Sequence, residues 1–290
     1  MQARKKFTDL SRRIGVSIVA VALLILLITF ANNLLVGVFI ALIVAALAAI
    51  GVWEYGQLAR SKGYSPALPF MVGVAVAEAL SFYVVHKWAD VPQLPVLVLA
   101  LGLGLFFLNR FRRSEDALIH VAVELFGVVY VAIPLGYMLA ILYPFPVEEG
   151  QDGRWWLVYL LIVTKITDTG AYFFGRLWGR RRLAPVLSPK KTVEGAIAGF
   201  LCAVLFSLAM VFIAKEFAGS SFPLKLWDAL WMGILIGLFG QIGDLAESLL
   251  KRDAVVKDSN RLPGLGGILD TLDSLIFTAP ILYFYLTWHP

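Results

Sequence analysis

Residues 14–58 read IGVSIVAVALLILLITFANNLLVGVFIALIVAALAAIGVWEYGQL, two apolar runs at about 14–31 and 34–58 parted by a short polar break, Asn32-Asn33. A helix that crosses a bilayer needs roughly 20 apolar residues, and each run is near that length. Working outward, seven more windows meet or approach it, at about 67–85, 92–108, 118–143, 155–174, 194–214, 227–250 and 268–288. The fourth window is short, and the fifth is long with Pro134 inside it. The expected fold is all-α, a polytopic integral membrane protein with about nine transmembrane helices. Composition agrees: 60% of residues are hydrophobic and 16% charged, and the mean hydropathy is +0.81. Soluble domains carry about 25% charged residues, so a water-soluble globule is excluded.

No repeat, long linker or low-complexity tract divides the chain, and one membrane domain over 1–290 is expected. The first apolar run is longer than a signal-peptide core, and no small-residue cleavage site follows it. The lone cysteine, Cys202, excludes a disulfide framework, and His86, His120 and His289 lack zinc spacing. Nine crossings put the termini on opposite sides. With a cytoplasmic N-terminus, the inner segments hold Arg4 to Lys6, Arg12, Arg13, Arg60, Lys62, Arg110, Arg112, Arg113, Arg176, Arg180 to Arg182, Lys190, Lys191, Lys251, Arg252, Lys257 and Arg261. The outer ones hold only Lys87, Arg154, Lys215 and Lys225, while Lys165 falls within a helix. That asymmetry matches the positive-inside rule. The net charge of +5 therefore reflects short basic loops and gives no reason to expect nucleic acid.

One stretch breaks the apolar pattern: GDLAESLLKRDAVVKDSNRLPGLGGILDTLDS, residues 243–274. Charge within a spanning helix costs a few kcal/mol on insertion scales, so such residues usually have a partner or a task. Asp244, Glu247, Ser248 and Lys251 are spaced i, i+3, i+4, i+7 and share one helix face. Asp270 and Asp273 face together at the start of the last helix. Carboxylates without histidine or cysteine suit a hard cation, best magnesium if a substrate brings phosphate oxygens. The alternative is that Lys251 and Arg252 merely neutralise these acids in interhelical salt bridges. Gly264, Gly266 and Gly267 leave backbone amides free beside a helix N-terminus, which favours a phosphate. Asp270 also fits a plain cap.

The loop after the sixth window is the second polar cluster. Asp168 lies in the cytoplasmic half of that helix, followed by Arg176, Arg180, Arg181, Arg182, Lys190 and Lys191. Ser188 or Thr192 would cap the next helix, with Glu194 in its first turn. Lys190, Lys191 and Ser188 near a helix start suit a triphosphate. For the arginines, topology and attraction to anionic lipid are an equal explanation. Glu54, Glu78 and Glu124 are further acids within apolar windows, and a hydrogen-bonded structural role is expected for each.

Together these two loops resemble the phosphatidate cytidylyltransferase family, also called CDP-diacylglycerol synthases. Gly243, Asp244, Ser248, Lys251, Arg252, Lys257, Asp258, Pro263, Gly264, Gly266, Gly267, Asp270, Asp273 and Ser274 match its C-terminal signature in order and spacing. Asp168, Ala171, Tyr172 and Gly175 match an earlier motif, as do Ser188, Pro189, Lys191, Thr192, Glu194 and Gly195. The likeness covers about 155–280. Two positions depart from it: the family's turn histidine is Leu265, and its arginine after the first aspartate is Thr271. Lys165, one helical turn before Asp168, is expected to supply part of the missing positive charge.

The resemblance implies a nucleotidyl transfer in phospholipid biosynthesis: CTP and phosphatidate give CDP-diacylglycerol and pyrophosphate. It implies a metal held by Asp244, Asp270 and Asp273, with Asp258 and Asp168 as lesser candidates. The ion would be Mg²⁺, with a second cation such as K⁺. Ser188, Lys191, Lys251 and Arg252 would steady phosphates, and Ser248, Lys257, Gly264, Gly266 and Gly267 complete the nucleotide site. The partners are CTP, phosphatidate and membrane lipid, with a homodimer left open. The expected place is a bacterial-type inner (plasma) membrane, the site facing the cytoplasm. A CTP-dependent enzyme acting on an isoprenoid or diether phosphate is one alternative. An ion-coupled carrier is another, although carriers more often show broken helices and internal symmetry.

Overall fold

The structure, a computed structural model, describes residues 19–87, 91–111, 115–143, 151–256 and 267–288. Among them are nine α-helices: α1 (Val19–Thr29), α2 (Leu34–Ser61), α3 (Leu68–Lys87), α4 (Leu94–Arg110), α5 (Ala117–Leu142), α6 (Gly153–Trp178), α7 (Val193–Phe217), α8 (Leu226–Asp253) and α9 (Ile268–Trp288). Seven are long and apolar enough to cross a membrane, and α1 and α4 are shorter apolar helices. The protein is an all-α polytopic membrane protein. Every expected window contains a helix, although residues 14–18 of the first lie outside the described residues.

Polar residues set the helix starts. Asn33 caps α2, accepting from the amides of Leu35 at 3.0 Å and Val36 at 3.4 Å. Asp152 caps α6 and also takes the Arg154 guanidinium. Between α6 and α7 the chain departs from the expected loop. Arg182–Ala184 (β1) and Ser188–Thr192 (β2) pair as an antiparallel hairpin. Thr192, rather than Ser188, caps α7, accepting from Gly195 N at 3.2 Å. Ser188 sits at the other end of β2, opposite Ala184.

Lipid adds little hydrophobic drive between helices, so close packing and polar contacts must hold them together. The α6–α7 contact does this with small residues. A Cβ on Gly199 would lie 2.6 Å from Thr167 O, and one on Gly170 would lie 2.8 Å from Cys202 Sγ. α8 lies between α7 and α9, and α9 also touches α2, α5 and α6. The large apolar side chains that remain exposed, such as Leu35, Val96, Leu118 and Leu205, form the surface that lipid would cover.

The apolar-window acids mostly hold structure together. Glu124 accepts from Arg110 at 2.7 Å and from Ala67 N at 2.9 Å, and both charged side chains are buried. Glu54 accepts two backbone amides of α9. Glu78 is buried, but its Oε2 has no hydrogen-bond partner among the described residues.

If the α6–α7 contact carries the packing, Gly199→Leu forces the backbones apart and destabilises the protein by about 1–3 kcal/mol. Thermal unfolding in detergent micelles checks this, and an unchanged midpoint would contradict it.

Candidate active site

The site begins with a close approach of two backbones. A Cβ on Gly243 of α8 would collide with the backbone carbonyl of Asp273 in α9. Only glycine permits that contact, and it sets Asp244 beside Asp273. On α9, Asp273 Oδ1 accepts from Ser274 N at 2.6 Å. From α6, Asp168 Oδ2 accepts from the Ser274 hydroxyl at 3.0 Å. Asp244 and Asp168 both lie within electrostatic reach of Asp273. Three carboxylates from three helices thus converge.

Like charges this close need cations, and lysines supply them. Lys191 Nζ stands 2.6 Å from Asp244 Oδ2. Lys165 Nζ reaches Asp168 Oδ2 at 3.5 Å. A cavity of about 450 Å³ opens beside the cluster, lined by Asp168, Tyr172, Arg176, Lys190, Lys191 and Asp244 among others. Acids and cations line it together, with Lys191 and Asp244 in contact.

Asp270 stands apart from this set. It pairs with Lys251, and its Oδ2 accepts from Gly267 N at 3.1 Å. Lys251 also meets the buried Glu247 at 2.5 Å. The spacing of Glu247 and Lys251 on one face of α8 therefore serves an ion-pair group with Asp270. Gly267 N is committed to Asp270 and is not free for a phosphate. The next two amides, Ile268 N and Leu269 N, are taken by Glu54 at 3.0 and 2.9 Å. Arg252 Nε donates to Leu187 O at 3.0 Å, tying the hairpin to α8. Ser248 is half-buried on α8, and Ser188 does not line the cavity. Lys257, Asp258, Gly264 and Gly266, with Leu265 between the glycines, lie outside the described residues.

Among the described residues, no three His, Cys, Asp or Glu side chains form a ready metal cage. The donor set still suits a hard cation, because the groups are carboxylate oxygens. Asp244 and Asp273 fit such a role, with Asp168 as their neighbour. Gln241 was not singled out from the sequence. It lines the cavity one turn before Asp244 and donates to Ala196 O at 3.1 Å. A lone amide three residues from an intramembrane aspartate was the available signal.

The cationic ends gather on this side of the bundle. Lys62, after α2, pairs with Asp253 at the end of α8 at 3.0 Å. Arg110, at the end of α4, donates to Ser65 O at 2.8 Å. At the opposite end, Arg154 donates to Thr29 O at 2.7 Å. A second cavity of about 460 Å³ lies there, near Tyr83, His86 and Tyr143, and holds none of the expected site residues.

The profile described as the Cytidylyltransferase family matches residues 11–289. The chain belongs to that family. It is similar to a phosphatidate cytidylyltransferase of Chlamydia pneumoniae, 34% identical over 287 residues, covering 97% of this chain and 92% of the relative. It is also similar to one from Staphylococcus aureus (strain COL), 36% identical over 266 residues, covering 89% and 94%. A Staphylococcus haemolyticus relative of the same name is 39% identical over 196 residues, covering 67% and 70%.

The position of α9 rests on Glu54. Glu54→Ala leaves two buried amides unmet and lowers stability by about 1–3 kcal/mol or more. Chemical denaturation in detergent reads the change, and no shift would remove the capping role.

Proposed function

We propose that this protein is a phosphatidate cytidylyltransferase, joining CTP to phosphatidate with release of pyrophosphate. The observation that carries the reading is the cavity lined by Asp168, Asp244, Arg176, Lys190 and Lys191, with the buried Asp273 within electrostatic reach of both aspartates. An oxygen of the phosphatidate phosphate attacks the α-phosphorus of CTP. The bond from that phosphorus to the bridging oxygen breaks, and pyrophosphate leaves with the electron pair. No protein nucleophile is required.

The obstacle is anion meeting anion. Fixed cations and positioning lower it, since donors already in place cost no reorganisation at the moment of reaction. Lys190, Lys191 and Arg176 face the cavity and would hold the triphosphate. Asp244 and Asp273 would hold Mg²⁺, with Asp168 in the part expected of Asp270, which is engaged by Lys251. When bound there, the ion offsets charge on the phosphates of both substrates.

The same reading places the cavity at the cytoplasmic membrane interface, because the bundle's cationic end belongs inside. CTP would enter from the cytosol, while the diacyl tails stay in lipid beside exposed Tyr172 and Phe173.

The test uses purified protein in detergent with labelled CTP, phosphatidate and Mg²⁺. A CDP-lipid forms with phosphatidate and not with an isoprenoid or diether phosphate. EDTA abolishes it, and Asp273→Asn lowers turnover by about 100-fold or more. Full-rate product in EDTA rules out the metal role. Ion flux without CTP consumption identifies a carrier instead.

A further inference from the structure

Lys165 sits in the middle of α6 and faces the first turns of α9. Its ammonium meets three oxygens of three kinds: Thr271 backbone O at 3.0 Å, the Ser274 hydroxyl at 3.2 Å and Asp168 Oδ2 at 3.5 Å. An ammonium has three hydrogens and no acceptor, so this set uses it fully. The Ser274 hydroxyl donates onward to Asp168 Oδ2, so it accepts from Lys165. Lys165 therefore acts on Asp168 both directly and through Ser274, and its charge also reaches Asp273.

Lys191 differs in kind. It pairs with Asp244 and lines the cavity, where a phosphate can meet it. Lys165 is absent from the cavity wall, although Asp168 lines it. Its three contacts, to a carbonyl, a hydroxyl and a carboxylate of α6 and α9, make placing carboxylates its task. A carbonyl, a hydroxyl and a carboxylate arranged around one positive centre are also what a free monovalent cation takes in exchange for its water. Potassium and ammonium are close in size, and the Lys165 nitrogen stands where such an ion would stand. The position that carries arginine in the resembled signature is Thr271, and the Thr271 carbonyl is one of the three oxygens.

We propose that Lys165 is a tethered monovalent cation: a positioning residue that ties α9 to α6, fixes Asp168 and Asp273, and frees the protein from any need for a potassium-class ion at this place. The catalytic part of this proposal rests on the cytidylyltransferase reading, whereas the structural part does not.

Two measurements test it, one without substrate. Thermal midpoints are compared in potassium, ammonium and tetramethylammonium chloride at equal ionic strength. The parent protein gives the same midpoint in all three. Lys165→Ala has a lower midpoint in tetramethylammonium, and potassium or ammonium raises it by about 2–4 °C. Lys165→Met fills the space without charge and gains nothing from either ion. In turnover, the parent works equally well in potassium and tetramethylammonium salts. Lys165→Ala loses about tenfold or more in tetramethylammonium and recovers most of it in ammonium or potassium. Lys165→Met loses as much and does not recover.

A parent protein that needs potassium overturns the proposal. So does a folded Lys165→Ala whose midpoint ignores the ion, or a Lys165→Met with full turnover. If Lys165→Ala does not fold, the parent's salt comparison and Lys165→Met decide the matter. If the parent makes no CDP-lipid, the cytidylyltransferase reading fails, and the thermal comparison still decides the cation.

Discussion

A helix that begins inside a protein must have its first amides met, because no water is there to meet them. α9 begins in this way, and Glu54, from a helix more than 200 residues earlier in the chain, meets the amides of Ile268 and Leu269. The carboxylate also faces the positive end of the helix dipole. Together with Gly243 against Asp273 and Lys251 on Asp270, this contact holds the first turns of α9 in place. The two aspartates of its first turns follow from that placement. Asp270 turns to Lys251, and Asp273 turns to Asp244 and Asp168. The N-terminal helices, which carry little of the family signature, are thereby part of the site's foundation.

Much of the fold was legible because it is local. A run of apolar residues long enough to span a bilayer declares itself, and Asn33, Asp152 and Thr192 mark helix starts with their own side chains. The hairpin at 182–192 was not legible. It is short, basic and interrupted by proline, without the alternating apolar pattern that signals a strand. Helix spacing put Glu247 and Lys251 on one face, but it could not say that Asp270 would close the group.

The convergence of Asp244 with Asp273 was expected, and the glycine before Asp244 was visible. Its partner, the carbonyl of Asp273, was not, because which backbone presses against a glycine is a tertiary fact. Asp270 had three readings, as metal ligand, as cap and as an interhelical salt-bridge partner of Lys251. The amide of Gly267 matches the second and the ammonium of Lys251 the third. For Glu54, a hydrogen-bonded role was foreseen without its partners, which lie too far along the chain for any local pattern to reveal.

The contact between Lys191 and Asp244 ties up one group of each sign at the cavity wall. A divalent ion arriving alone would strand the ammonium, and a polyphosphate arriving alone would strand the carboxylate. Arriving as a pair, they compensate both. On the proposed reading each would therefore strengthen the other's hold by the same factor, as thermodynamic reciprocity demands. A cytidylyltransferase with this salt bridge at its cavity wall would favour the metal–nucleotide complex over either component.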